Sequence, residues 1–255
     1  MSGQQAGELS DQEIFERINS VKNWYHRIEI RPGIITPGIN DSPAVLRILN
    51  IPEDCSGLKV LDLGTRDGFY AFELEKRGAN VVAIDYFPAD KTGFKVAAEL
   101  LNSKVNYIHD NIYNISREKY GQFDIVLFLG LLYHLPDPML ALSIIRSVCR
   151  STLYLESYVT DNAFLLPDGS AVPINSISKH LLDIPVMQFF PKDSAYNDYA
   201  NYWGPNLKCL ELMLIENNFE VLEKKLQEKR AVLKCTVNSN PTAEYFNSIS
   251  RGIVN

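Results

Sequence analysis

Asp62, Gly64, Gly68 and Asp85 are the residues whose types and spacing first suggest chemistry. Asp62-Leu63-Gly64-Thr65-Arg66-Asp67-Gly68 matches D-x-G-x-x-x-G, and Asp85 follows Gly64 by 21 residues. A glycine-bracketed loop between a strand and a helix turns backbone N–H groups toward a ligand. An acid at the end of the next strand accepts hydrogen bonds from both hydroxyls of a ribose. Further on, Tyr133-His134 sits in GLLYHLPDP, just past a strongly apolar run. A histidine of ordinary pKa, about 6.5, takes a proton from an attacking hydroxyl or amine. The plainer reading of His134 is packing or capping of the turn before Pro136.

The surrounding pattern supplies the elements that position these groups. Lys59–Leu63 reads as a strand buried on both faces, followed by a helix over Tyr70–Arg77 closed by Gly78. Strands follow at Asn80–Asp85, Val105–His109, Phe123–Leu129 and Thr152–Glu156, with helices around Phe94–Leu101 and from Pro138 through Val148. Such alternation predicts a parallel sheet with helices on both faces. The pattern resumes with a helix at Asn206–Asn217 and strands at Phe219–Lys224 and Ala231–Val237.

Two segments break the rhythm. Residues 1–9 are small and polar and read as disordered; Ser10 and Glu13 then form a capping box. Trp24-Tyr25-His26 precedes two Pro-Gly turns, predicting a fixed loop over something else. Residues 157–205 hold five prolines and several aromatics, including Tyr196, Tyr199 and Trp203, and read as an irregular insertion covering a site. The expected organisation is an N-terminal helical and aromatic cap over 1–50 and one α/β domain over 51–255, with 157–205 as its lid.

The chain of 255 residues is 46% hydrophobic and 22% charged, with net charge −6. That balance argues against broad nucleic-acid binding, though a local basic groove stays open. Lys22, Arg27, Arg31, Lys224, Lys225, Lys229 and Arg230 would form one only if the fold gathers them. Cys55, Cys149, Cys209 and Cys235 are too scattered for a metal motif and read as free thiols. No metal site is expected. With no apolar run near the roughly 20 residues of a membrane span and no signal-like start, the expected location is cytoplasmic, with no membrane partner.

The ligand can be narrowed from the loop. A dinucleotide fold uses G-x-G-x-x-G, whose second glycine admits a pyrophosphate; here Arg66 holds that position. A ligand with a ribose but no phosphates fits better, and S-adenosylmethionine (SAM) is one. After the third strand, Asp110-Asn111-Ile112 offers a polar acceptor and an apolar side chain for its adenine.

This order of signals resembles the class I SAM-dependent methyltransferases, with a Rossmann-like seven-stranded sheet. FLGLLYHLPDP, WYHRIEIRPGIITPG and NYWGPNLKCLELML are similar to the group that includes the carboxy-SAM-dependent tRNA wobble-uridine methyltransferase. By that resemblance Asp62, Gly64 and Gly68 shape the methionine pocket, with Thr65 and Arg66 in the same loop. Asp85 holds the ribose with Tyr86 beside it, Asp110, Asn111 and Ile112 flank the adenine, and Gly130 lines the amino-acid end. Arg230 and Tyr133 match residues that meet the extra carboxylate of carboxy-SAM, but the lysine completing that site has no clear counterpart among residues 24–33. Ordinary SAM, released as S-adenosylhomocysteine (SAH), is therefore the expected cofactor. His134 and Tyr133 are the candidate catalytic pair. Trp24, Tyr25, His26, Trp203 and Arg230 are candidates for the acceptor site, with packing as the alternative for both tryptophans. The expected acceptor is a small molecule methylated at oxygen or nitrogen. The rivals are a tRNA-modifying methyl or carboxymethyl transferase and a non-catalytic SAM-binding module.

Overall fold

The apolar runs become one seven-stranded sheet. The computed structural model describes residues 9–191 and 200–238. Residues 1–8, read above as disordered, lie outside that range, as do Tyr196 and Tyr199 of the insertion. The sheet strands are β1 (Lys59–Leu63), β2 (Asn80–Asp85), β3 (Asn106–His109), β4 (Phe123–Leu129), β5 (Cys149–Tyr158), β6 (Phe219–Gln227) and β7 (Arg230–Val237). Their spatial order is β3-β2-β1-β4-β5-β7-β6. The first five run parallel, β7 is antiparallel to β5, and β6 is antiparallel to β7. From β1 the chain builds outward to β3, then returns to the other side of β1 with β4. The carboxyl ends of β1 and β4 therefore diverge into loops on opposite sides, and the crevice of a doubly wound sheet opens there.

The alternation along each strand feeds two cores. Val126 and Phe128 of β4 join Leu61, Leu63, Leu153 and Leu233 on one face. There they meet helix residues Leu142 and Ile145 (Pro138–Val148) and Leu210 and Leu214 (Leu207–Glu216). Ile125 and Leu127 point the other way with Val60 and Val81, against Phe72 and Leu74 of the helix Phe69–Lys76 and Phe94 and Ala97 of Phe94–Leu101. A period of two with both faces covered is why these strands read as nearly unbroken apolar runs.

The predicted limits of β1, β2, β4 and the helix Pro138–Val148 match the structure. Strand β5 is longer than Thr152–Glu156, because pairing with β7 carries it to Tyr158, opposite Arg230. Ser10 and Glu13 make the expected capping box at the helix Asp11–Asn19.

The segment ahead of the sheet folds as a small hairpin, Glu29–Arg31 against Ile34–Ile35, packed on the second core. Trp24 is buried, its indole donating to the Ile18 carbonyl at 2.9 Å. The insertion carries two more hairpins, Ala163–Leu165 with Ala171–Pro173 and Met187–Phe189 with Trp203–Pro205. Asn206 ties it down: its amide donates to the Leu181 and Ile184 carbonyls, both at 2.8 Å, while its oxygen accepts from Val186 and Cys209.

Candidate active site

The loop after β1 is built around backbone donors and left-handed residues. Gly64 has φ 71°, Arg66 φ 53° and Gly68 φ 93°. A Cβ on Gly68 would lie 2.6 Å from Phe72 and 2.7 Å from Phe94, so side-chain packing as well as φ demands glycine there. Arg66 takes the left-handed conformation without being glycine. Its N–H donates to Asp85 at 2.8 Å and its guanidinium lies 5.4 Å from the centre of the Phe87 ring. The side chain thus packs back over the segment after β2, which is how an arginine fits this loop.

Asp62 is buried beneath the loop and accepts from the Thr65 hydroxyl at 2.7 Å. Burial pushes its carboxyl up to about 7, against the pull of Thr65 and the Ala71 N–H. Asp67, an unassigned position of the motif, proves to be a joint. One of its oxygens accepts from the Tyr25 and His26 N–H groups at 2.6 and 2.9 Å, and the other from Gly93 at 2.8 Å. It fastens the N-terminal cap and the segment after β2 to the glycine loop.

Asp85 and Asp110 end neighbouring strands but are filled differently. A carboxylate has about four acceptor positions. Asp85 uses one per oxygen, for the N–H groups of Arg66 and Phe87, at 2.8 and 2.9 Å. Two remain, the number a ribose diol needs. Asp110 already accepts from Asn111 N–H, Asn114, Lys119 and Tyr120, and these donors hold its carboxyl far below the usual range. It braces the turn that presents Asn111 and buried Ile112.

A second constellation forms where β4, β5 and β7 meet. Because β7 runs antiparallel to β5, Arg230 pairs with Tyr158 and sits diagonal to Glu156 on the same face. Its guanidinium donates to the Tyr133 hydroxyl at 2.7 Å and reaches Glu156 at 3.3 Å. Burial raises the Glu156 carboxyl, with Arg230 opposing, and raises the Tyr133 phenol to about 12. Tyr133 is therefore a protonated donor at neutral pH. A Cβ on Gly130 would stand 3.5 Å from Glu156 and 3.7 Å from the Tyr133 hydroxyl, so the bare glycine keeps the space above them clear.

The two histidines differ. His134 Nδ1 lies 3.0 Å from the Ala200 carbonyl, which only accepts, so Nδ1 carries the hydrogen. In the neutral ring Nε2 then holds the lone pair that a base uses. His26 is buried among Tyr25, Phe69 and Tyr70. Burial lowers its pKa to about 4, with Asp67 opposing, so it is neutral at physiological pH. Its Nδ1 is the one buried side-chain polar atom among the described residues without a hydrogen-bond partner.

A cavity of about 1000 Å³ joins these parts. Asp62, Gly64, Arg66, Asp85, Tyr86 and Asp110 line one half, continued by Asn111, Ile112 and Gly130. Tyr25, His26, Tyr133, His134 and Arg230 line the other. Four predicted residues lie outside its wall: Thr65 and Gly68 support the loop, Trp24 packs the cap, and Trp203 donates to the Pro136 carbonyl at 3.1 Å. Sequence reasoning missed Phe87, Tyr158, Phe190 and Asn201 on the wall, and Asp67 and Glu156 behind it. Only Asp67, inside the motif, carried a signal of its own. Among the described residues no cluster of metal-binding side chains forms and no helix is long and apolar enough to cross a membrane.

A doubly wound sheet of this order, with a glycine loop after β1 and an acid at the end of β2, is the Rossmann-like methyltransferase fold. Residues 40–224 match the model of a methyltransferase-domain family, and the chain belongs to that family. Over 108 residues it is 32% identical to the ubiquinone biosynthesis O-methyltransferase of Aliivibrio fischeri (strain MJ11), covering 41% of this chain and 45% of that protein. The chain thus spans about half the length of the curated relatives it matches. The SAH-bound N-terminal domain of EvdMO1 superposes with a TM-score of 0.63 at 18% identity, over 91% of this chain and 98% of that one. The 1,6-didemethyltoxoflavin-N1-methyltransferase of Burkholderia thailandensis gives 0.53 at 16% identity, over 82% and 78%. At such identities these likenesses speak for the fold.

Proposed function

We propose that the chain is a SAM-dependent methyltransferase acting on an oxygen or nitrogen of a small-molecule acceptor. The observation that carries this reading is Asp85, whose half-filled carboxylate opens into the same cavity as His134. Asp85 would take the ribose hydroxyls, Asn111 and Ile112 the adenine, and Gly64, Gly130 and Asp62 the methionine end. Bound there, SAM supplies a methyl group on a positively charged sulfur. The chain's own part is orientation, exclusion of water, and acceptance of the acceptor's proton at His134 Nε2. Tyr133 donates a hydrogen bond above Gly130, held by Arg230. Tyr25 and His26 belong to the acceptor wall. Residues 1–50 act as the cap, 51–255 as the catalytic domain and 157–205 as its cover.

Ordinary SAM is favoured over carboxy-SAM because the Arg230 charge is already offset by Glu156. A small acceptor is favoured over tRNA because the basic residues are dispersed in local contacts. Arg31 pairs with Asp11, Lys224 with Glu211, Arg27 bonds the Gly38 carbonyl and Lys225 that of Ile48. The A. fischeri relative, an O-methyltransferase of ubiquinone biosynthesis, supports the same choice. The test is calorimetric titration with SAM followed by transfer of its labelled methyl group to an acceptor mixture. Binding with turnover is expected. Binding without turnover would favour a regulatory module, and transfer to tRNA alone would favour the RNA-modifying rival.

A further inference from the structure

His26 brings to the acceptor half a polar group that its surroundings hold in place. Its backbone is locked on both sides: the N–H donates to Asp67 at 2.9 Å, and the carbonyl accepts from the Thr36 hydroxyl at 2.7 Å. A Cβ on Gly38 would strike that carbonyl, so the second Pro-Gly turn closes directly on it. The ring is packed by Tyr25, Tyr70 and Phe69, with centroids at 5.0, 5.7 and 6.2 Å. Nδ1 is enclosed and has no hydrogen-bond partner. Nε2 has none among the described residues either, but it is not enclosed. Nε2 is therefore the nitrogen that His26 shows to the cavity it lines.

The tautomer follows from the enclosed nitrogen. The ring is neutral, so one nitrogen carries a hydrogen and the other a lone pair. A buried N–H without an acceptor is a costlier orphan than a lone pair without a donor. The lone pair therefore sits on Nδ1, and the hydrogen on Nε2. His134 is the opposite case, its hydrogen on Nδ1 toward the Ala200 carbonyl. The two imidazoles of the cavity wall thus hold opposite tautomers.

We propose that His26 donates from Nε2 to a carbonyl-type oxygen of the acceptor, separate from the hydroxyl whose proton goes to His134. The proposal rests on the methyl-transfer reading above and narrows its substrate to molecules that carry both a hydroxyl and a hydrogen-bond-accepting oxygen. An uncharged donor fixed among rings selects for such an oxygen, because an apolar group in its place leaves the N–H unpaired.

The test uses the full chain saturated with SAH. Nitrogen-15 NMR of the imidazoles, assigned with His26→Phe and His134→Gln, is expected to show His26 with its hydrogen on Nε2. The probes are the 2-, 3- and 4-hydroxyacetophenones, each against the ethylphenol of the same substitution, which lacks the carbonyl; flat rings suit a wall that includes Tyr25, Tyr70, Tyr133 and Phe190. In calorimetry at least one ketone is expected to bind about tenfold more tightly than its ethylphenol, as for one added hydrogen bond. That ketone, unlike its ethylphenol, should move the His26 Nε2–H resonance. His26→Phe keeps a ring in the packing and should abolish the preference, whereas His134→Gln should leave it in place. A hydrogen on Nδ1 of His26, equal affinity within all three pairs, or a preference that survives His26→Phe would overturn the proposal. Failure of the unmodified chain to bind SAH would instead bring down the methyl-transfer reading.

Discussion

The two halves of the cavity are made in different ways. The donor half is assembled from the carboxyl ends of adjacent parallel strands, and its key groups are fixed by backbone hydrogen bonds within a few residues of the loop. The half proposed to hold the acceptor is assembled from four pieces: the cap around Tyr25 and His26, the loop after β4 with Tyr133 and His134, the insertion through Tyr158, Phe190 and Asn201, and the start of β7 at Arg230. One half follows from the fold, and the other is added to it. Substrate choice can therefore change in the second without disturbing the first.

The largest expected effect comes from breaking the joint between them. Asp67→Ala leaves the N–H groups of Tyr25, His26 and Gly93 without their acceptor. Those of His26 and Gly93 are buried. At about 1–3 kcal/mol for each buried unsatisfied group, a loss of about 3 kcal/mol or more is expected in denaturant unfolding. Acceptor binding should weaken more than SAM binding. Equal weakening of the two would mean the halves are not separable. Next is Asp85→Ala, which should weaken SAM binding by about 1–3 kcal/mol in calorimetry. Unchanged affinity would remove Asp85 from the ribose site.

Asp62 in one half and His26 in the other are buried titrating groups whose pH dependences run in opposite directions. Asp62 has an ordinary pKa of 3.8 and a folded value of about 7, so the folded chain holds its proton more tightly. Its stabilising contribution is complete below about pH 4 and is lost as pH rises through 7. His26 falls from 6.5 to about 4 on folding, so the folded chain disfavours its proton. Its contribution is present above about pH 6.5 and lost as pH falls through 4. Asp62→Asn should remove the first dependence and His26→Gln the second, measured by unfolding between pH 4 and 7.5. A profile unchanged in either variant would reassign that burial. The smallest effect is expected for Arg66→Gly: relief of a left-handed residue worth about 1–2 kcal/mol, partly cancelled by loss of the Phe87 contact. Thermal unfolding that drops markedly would mean the arginine holds more than that ring.

The same contrast explains what the sequence made legible. Strands β1, β2 and β4 stand out because burial on both faces leaves nearly unbroken apolar runs, and Gly64 and Asp85 sit where those runs stop. Their positions are fixed locally, so spacing alone reveals them. Glu156 was hidden because its partner Arg230 is 74 residues away and reaches it only through an antiparallel pairing. Asn201 lies in an insertion without periodicity, where nothing in the residue types says which side chain faces inward. Asp110 was found, but its role was not: an acid after β3 looks available until Lys119, Tyr120 and Asn114 are seen to fill it. Trp24 and Trp203 drew notice as aromatics and are held by carbonyls instead, one in the core and one on the loop before the helix Pro138–Val148.

The mass of the small molecule that co-purifies with the native chain tests the donor half most directly. SAM or SAH, displaced by added SAM and absent from the Asp85→Ala variant, is the expected result. A nicotinamide dinucleotide in that position would contradict the assignment of the loop.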